Sequence, residues 1–166
     1  MLEPNFGSAH RAALMESIDL INFLSRWLHI STAIVLVGGT VFIRFVLTPN
    51  AEQLPPAEHD RLRDLVTANW RKFVRAGIVL FLVTGFYNYL VVALPQHQHD
   101  KRYHMLMGMK ILAAFGVFFL AEALVGRSAA FEGLRQKRKT WLFVLIIVAF
   151  TIVAISSLLR VRGVPA

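Results

Sequence analysis

The sequence predicts an all-α integral membrane protein: a four-helix bundle with an interfacial amphipathic helix between its first and second spans. Three observations carry this. The chain is 56% hydrophobic and only 17% charged. Its apolar residues collect in long blocks, the pattern of helices that meet lipid rather than water. There are four such blocks, and each can fill a hydrocarbon core that takes roughly 20 helical residues. No internal repeat is evident, so residues 1–166 read as one domain.

The first block runs from Trp27 to Ile43, between Arg26 and Arg44, and its helix is expected over residues 22–47. Pro55-Pro56 then breaks the chain. Beyond it Leu62, Leu65, Val66 and Phe73 recur at helical spacing among Arg61, Arg63 and Asp64. This is the expected interfacial helix, which lies along the membrane surface before turning into the second span, with Trp70 as its interfacial anchor; the alternative is a helix that only packs under the bundle. The second block, Ala76 to Pro95, predicts a span over 74–95. The third, Met105 to Gly126, is interrupted only by Lys110 and Glu122 and predicts 104–126. The fourth, Thr140 to Leu159, predicts 140–160.

Orientation follows from the basic residues. One side holds Arg61, Arg63, Arg71, Lys72, Arg75, Arg127, Arg135, Lys137, Arg138 and Lys139. The other holds Arg11, Arg26, Lys101, Arg102, Arg160 and Arg162. The richer side is expected in the cytoplasm, with both termini on the periplasmic side of a bacterial inner membrane. The net charge of +8 then belongs to orienting loops, and the partner expected is the lipid bilayer, not nucleic acid. The absence of cysteine excludes thiolate metal sites and disulfides. Residues 1–17 include Glu3, Pro4, Asn5 and Glu16 and hold no short apolar core, so no signal peptide is expected.

Ionisable groups inside a span mark a partner, a cavity or a cofactor. His29 and Lys110 each lie about two turns inside the same membrane face, and Tyr87, Asn88 and Tyr89 fall near that level. One polar layer is expected from three helices. His29 is a candidate axial ligand for haem iron, with a proton relay, a ligand of another metal or a plain interhelical hydrogen bond as alternatives. Ser25 and Thr32 share its face and would orient the ring, while Gly38 and Gly39 allow close approach by a helix or a flat ligand. Lys110 and Tyr87 are candidate cofactor contacts. Toward the other face, Arg44 and Glu122 are placed to pair, with Arg75 nearby. The loop HQHDKRYHMLMGMK supplies His97, His99 and His104 with Met105, Met107 and Met109, a donor set suited to copper, especially Cu(I). Only Met105 and Met109 would share a helix face.

Trp27-Leu28-His29, Gly38-Gly39 and Phe42-Ile43-Arg44-Phe45 resemble the first helix of HemJ-type protoporphyrinogen oxidase membrane proteins and of the related copper-resistance D (CopD) membrane domain. Arg71-Lys72-Phe73-Val74-Arg75 with Thr84-Gly85 resembles their second helix, and Tyr103-His104 with Lys110 their third. The HemJ resemblance implies haem b on His29, a porphyrinogen substrate, and catalytic positions at Arg44 and Lys110. One departure stands out: Gly108 occupies the place of a histidine in the oxidase pattern. The CopD resemblance implies copper handling through the histidines and methionines of 97–109. The function expected is thus a haem b membrane oxidoreductase, porphyrinogen- or quinone-linked. The alternatives are a copper-handling protein and a cofactor-free structural subunit of a homo-oligomer or membrane complex. The second axial ligand stays open among Met107, Met109, His104, Lys110 and the tyrosines.

Overall fold

The computed structural model describes residues 6–163, in which every regular element is helical. Four long helices dominate: α1 (Phe6–Phe42), α3 (Pro56–Tyr87), α5 (Lys101–Val125) and α7 (Arg138–Gly163). Short helices α2 (Thr48–Ala51), α4 (Leu94–Gln96) and α6 (Glu132–Gln136) sit at their ends. Four stretches are long and apolar enough to cross a membrane: Ala13–Ala51, Pro56–Gln96, Lys101–Val125 and Arg138–Leu159. All four expected spans fall on these helices, and the first two helices run well beyond them.

Two prolines explain how the first two rods end. A proline inside a helix removes one N–H donor and crowds the carbonyl four residues earlier. Pro49 and Pro95 are each preceded by a π-helical stretch, Ile43–Leu47 and Asn88–Ala93, which joins the long helix to the short one that follows. The wider turn shifts the hydrogen-bond register, so the chain passes the proline without breaking. Thr48 reinforces the first of them, its hydroxyl donating to the Ile43 carbonyl at 2.6 Å.

The expected turn between an interfacial helix and the second span does not occur. Pro56 occupies the first turn of α3, where its missing N–H costs nothing. No glycine or proline follows until Gly77, so the segment around 61–73 is the beginning of α3 itself. At 32 residues α3 is ~48 Å long, against a hydrocarbon core of ~30 Å. Leu62 and Val66 are half-buried against the rest of the molecule, and Leu65 and Phe73 are exposed.

The long helices contact one another in a ring: α1 with α3, α3 with α5, α5 with α7, and α7 with α1. The end carrying the loops 52–55 and 126–137 is called the basic end here, and the end carrying the loop 97–100 the histidine end. The tightest packing lies toward the basic end, where Ile43, Leu124, Leu142 and Leu145 form the core with Trp70 and Val117 against them. Elsewhere large apolar side chains point outward, Ile34, Val83, Leu112 and Phe119 among them. A surface this apolar suits lipid and not water, which supports an integral membrane protein.

The seam between α1 and α3 is antiparallel and repeats every seven residues. Asn22, His29 and Leu36 on α1 meet Tyr87, Thr84 and Gly77 on α3. Gly39 receives the indole of Trp70. Trp70 is therefore a packing residue between α1 and α3. The flat group that comes close at the double glycine is this indole. Gly38, its neighbour, faces open space. Gly39→Ala would drive a methyl into the ring and is expected to destabilise the fold by about 1–3 kcal/mol. Gly38→Ala should leave it unchanged, which thermal unfolding of the two variants in detergent will decide.

Candidate functional site

The polar centre of the seam is built on one threonine. Thr84 is 4% exposed, and its hydroxyl oxygen lies 2.6 Å from the Leu80 carbonyl and 2.8 Å from His29 Nδ1. Two oxygens this close need a hydrogen between them, and the carbonyl has none to give. The single hydroxyl proton of Thr84 therefore goes to Leu80, as threonines in helices commonly arrange. Thr84 can only accept from His29, so Nδ1 carries the imidazole's N–H. The lone pair of the neutral ring then stands at Nε2. The tautomer follows from geometry alone.

Other α3 residues hold the ring in place. Phe81 meets it edge-on, with centroids 4.9 Å apart. Gly85 leaves room beside it, since a Cβ there would sit 3.4 Å from His29 Cε1. Behind Phe81, Phe118 of α5 stacks at 5.7 Å, so the third long helix reaches the same layer. Lys110, also from α5, is half-buried and within electrostatic reach of the imidazole. No carboxylate among the described residues pairs with it.

The orienting residues differ from those expected. Thr32 is buried but donates to the Leu28 carbonyl at 2.8 Å, one turn back on its own helix. Ser25 Oγ is buried with no hydrogen-bond partner. The orienting group comes instead from across the seam. Tyr87 belongs to this ladder, its hydroxyl donating to Asn22 Oδ1 at 2.9 Å. Asn22 and the role of Thr84 were not foreseen. Asn22 sits seven residues before His29, and that spacing is the signal that would have placed both on one seam.

The second polar layer is arranged differently from the expectation. Glu122 does not pair with Arg44. Arg75 takes it in a two-pronged contact, with Nη2 at 2.6 Å and Nε at 3.1 Å from Oε1. Arg44 lies in the π turn and donates from Nε to the Lys139 carbonyl at 3.0 Å, clamping the start of α7. It stands 15 residues beyond His29, ~22 Å along a helix. Arg44 and Lys110 therefore do not share a site.

The histidines of the 97–104 region are also dispersed. His97 donates from Nδ1 to the Ala93 carbonyl at 2.9 Å, and its ring stacks on Tyr103 at 3.9 Å. His104 meets Tyr103 edge-on, and His99 is exposed in the loop. Asp100 caps α5 by accepting from the backbone of Arg102 and Tyr103. Among the described residues, no three His, Cys, Asp or Glu side chains gather as metal ligands would. Met105 and Met109 are exposed, while Met107 is half-buried.

No family model, curated protein or solved structure matches the chain. The site's chemistry must be argued from its own atoms. Thr84→Val keeps the shape but leaves a buried Nδ1–H with no acceptor, a loss of about 1–3 kcal/mol. Tyr87→Phe removes a whole donor and should cost about 0.6 kcal/mol, the average for hydrogen bonds between membrane helices. Thermal unfolding of both variants, with Thr84→Ser as the conservative control, is expected to reproduce that order.

Proposed function

We propose that the protein is an integral membrane redox protein that binds haem b through His29 Nε2. One observation carries this reading: the Nδ1–H of His29 is committed to Thr84, which presents the opposite nitrogen as a lone pair. Histidines that hold metals almost always donate their other N–H in this way, which fixes the tautomer and the ring plane. The residues fit the group in two further respects. Lys110 supplies a cation for an acidic substituent of the macrocycle, and Ser25 Oγ is a buried polar atom one turn from His29 that lacks a partner. Haem, when bound, supplies one-electron exchange at its iron. The protein's part is to hold the ligating ring through Thr84, to wall it with Phe81 and Phe118, and to balance charge with Lys110.

The resemblance to HemJ-type proteins supports the same reading. Gly108, in place of the histidine of their pattern, and the separation of Arg44 from Lys110 both put haem binding ahead of porphyrinogen oxidation. Either a porphyrinogen or a quinone would serve as the redox partner. In the orientation the basic residues favour, the basic end is cytoplasmic, and the His29 layer lies toward the periplasmic side of a bacterial inner membrane.

Protein purified in mild detergent should show Soret and α bands that His29→Ala abolishes. Thr84→Val should keep the protein folded but weaken haem retention by about 10–100-fold, the usual effect of losing such a supporting hydrogen bond. A spectrum without these bands after haem loading, or bands unchanged in His29→Ala, would overturn the proposal and leave the ladder as a device for helix packing.

A further inference from the structure

A cleft of about 440 Å³ opens at the basic end, between the α2 turn, the start of α3 and the α6–α7 junction. Its floor is apolar, with Ile43, Leu47 and Leu142 from the membrane-crossing stretches. Its walls carry an excess of cations. Most of these are already matched: Lys139 pairs with Glu52, Arg135 with Glu132 at 2.7 Å, and Arg63 with Asp60 at 3.3 Å. Two are not. Arg138 is half-buried and donates from Nη1 to Thr67 Oγ1 at 2.8 Å, a neutral partner. Lys137, beside it, is exposed. Among the described residues neither meets a carboxylate within ion-pair distance. Arg63 lines the same cleft.

A half-buried guanidinium whose one side-chain partner is a neutral hydroxyl is costly unless an anion completes it. The neighbouring apolar floor specifies what kind of anion. A small hydrophilic ion would leave that floor wet, whereas an amphiphile covers the floor and the charges together. Basic pockets of this kind, at the edge of membrane helices, suit phosphate-bearing lipid headgroups. Arginine's planar fork matches two phosphate oxygens, and lysine adds a point charge.

We propose that this cleft binds the phosphodiester headgroup of an anionic phospholipid, with Arg138 and Lys137 on its oxygens and an acyl chain along Ile43 and Leu142. The site is independent of His29 and of any cofactor there. It ties a lipid to the junction that joins α7 to the π turn of α1, where Arg44 already holds the Lys139 carbonyl.

The test is native mass spectrometry of the full-length protein in detergent, titrated with phosphatidylglycerol, phosphatidylcholine or inorganic phosphate. Phosphatidylglycerol should bind first and saturably, ahead of phosphatidylcholine by at least about tenfold, the scale of one charge-assisted hydrogen bond. Arg138→Gln should erase that preference. Lys137→Gln, which removes no contact within the fold, should reduce it severalfold. Lys72→Gln, an exposed position outside the cleft, should leave it intact. Equal affinity for both lipids, an unchanged preference in Lys137→Gln, or an equal loss in Lys72→Gln would overturn the proposal. Inorganic phosphate displacing the lipid at comparable concentration would also overturn it, assigning the cations to a soluble phosphate.

Discussion

Hydrocarbon offers no hydrogen bonds, and the arrangement of polar groups in this molecule follows from that constraint. Each long helix satisfies its own backbone, and most hydroxyls on it bond to the same helix as well. Thr32, Thr40, Thr84, Thr151, Ser156 and Ser157 all donate to the carbonyl four residues back. A hydroxyl committed in this way has only lone pairs left. Polar contact between such helices must therefore come from a side chain that brings its own hydrogen. On the α1–α3 seam those side chains are His29 and Tyr87. The histidine is thus a donor across this seam, and its lone pair is left at Nε2.

The same logic at the basic end uses arginine. The last carbonyls of α5 have no partner within their helix. Arg71 takes that of Val125 at 2.5 Å, and in the loop that follows Arg135 reaches the carbonyls of Gly126 and Ser128. Arg44 does the equivalent for the chain entering α7. These clamps sit beside the best-packed part of the interior, around Leu124 and Leu142. At the histidine end, by contrast, Tyr87 donates to Asn22 across the α1–α3 seam, His97 donates to the Ala93 carbonyl and stacks on Tyr103, and Asp100 caps α5. The molecule is stapled at one end and laddered at the other.

Much of this could be read from the sequence, for identifiable reasons. Span positions are a property of local composition, so the four apolar blocks located their helices. Depth is also local, since counting residues from a helix end placed His29 level with Lys110. Partner choice is not local. Glu122 could have met Arg44 or Arg75 from depth alone, and only the packing of α3 on α5 selects Arg75. Thr32 looked like the orienting residue because it shares a face with His29, yet its own helix takes its proton. Trp70 packs between helices because the absence of a side chain at Gly39 opens a slot that the indole fills, a pairing that local composition does not reveal. The segment before the second span shows both amphipathic spacing and an unbroken run of helix-compatible residues. The second feature prevailed, because nothing there allows the chain to turn.

The commitment of Thr84 to Leu80 bears on what can travel through the seam. A proton relay needs every member to take a proton on one side and release one on the other. From His29 the line runs through Nδ1–H to Thr84 and then to the Leu80 carbonyl, where it stops. An amide oxygen within a helix has no proton to pass on. The imidazole is a blind alley for protons in that direction, and any exchange must begin and end at Nε2. On the Nδ1 side the ring is held by a bond that fixes its orientation and passes no proton onward.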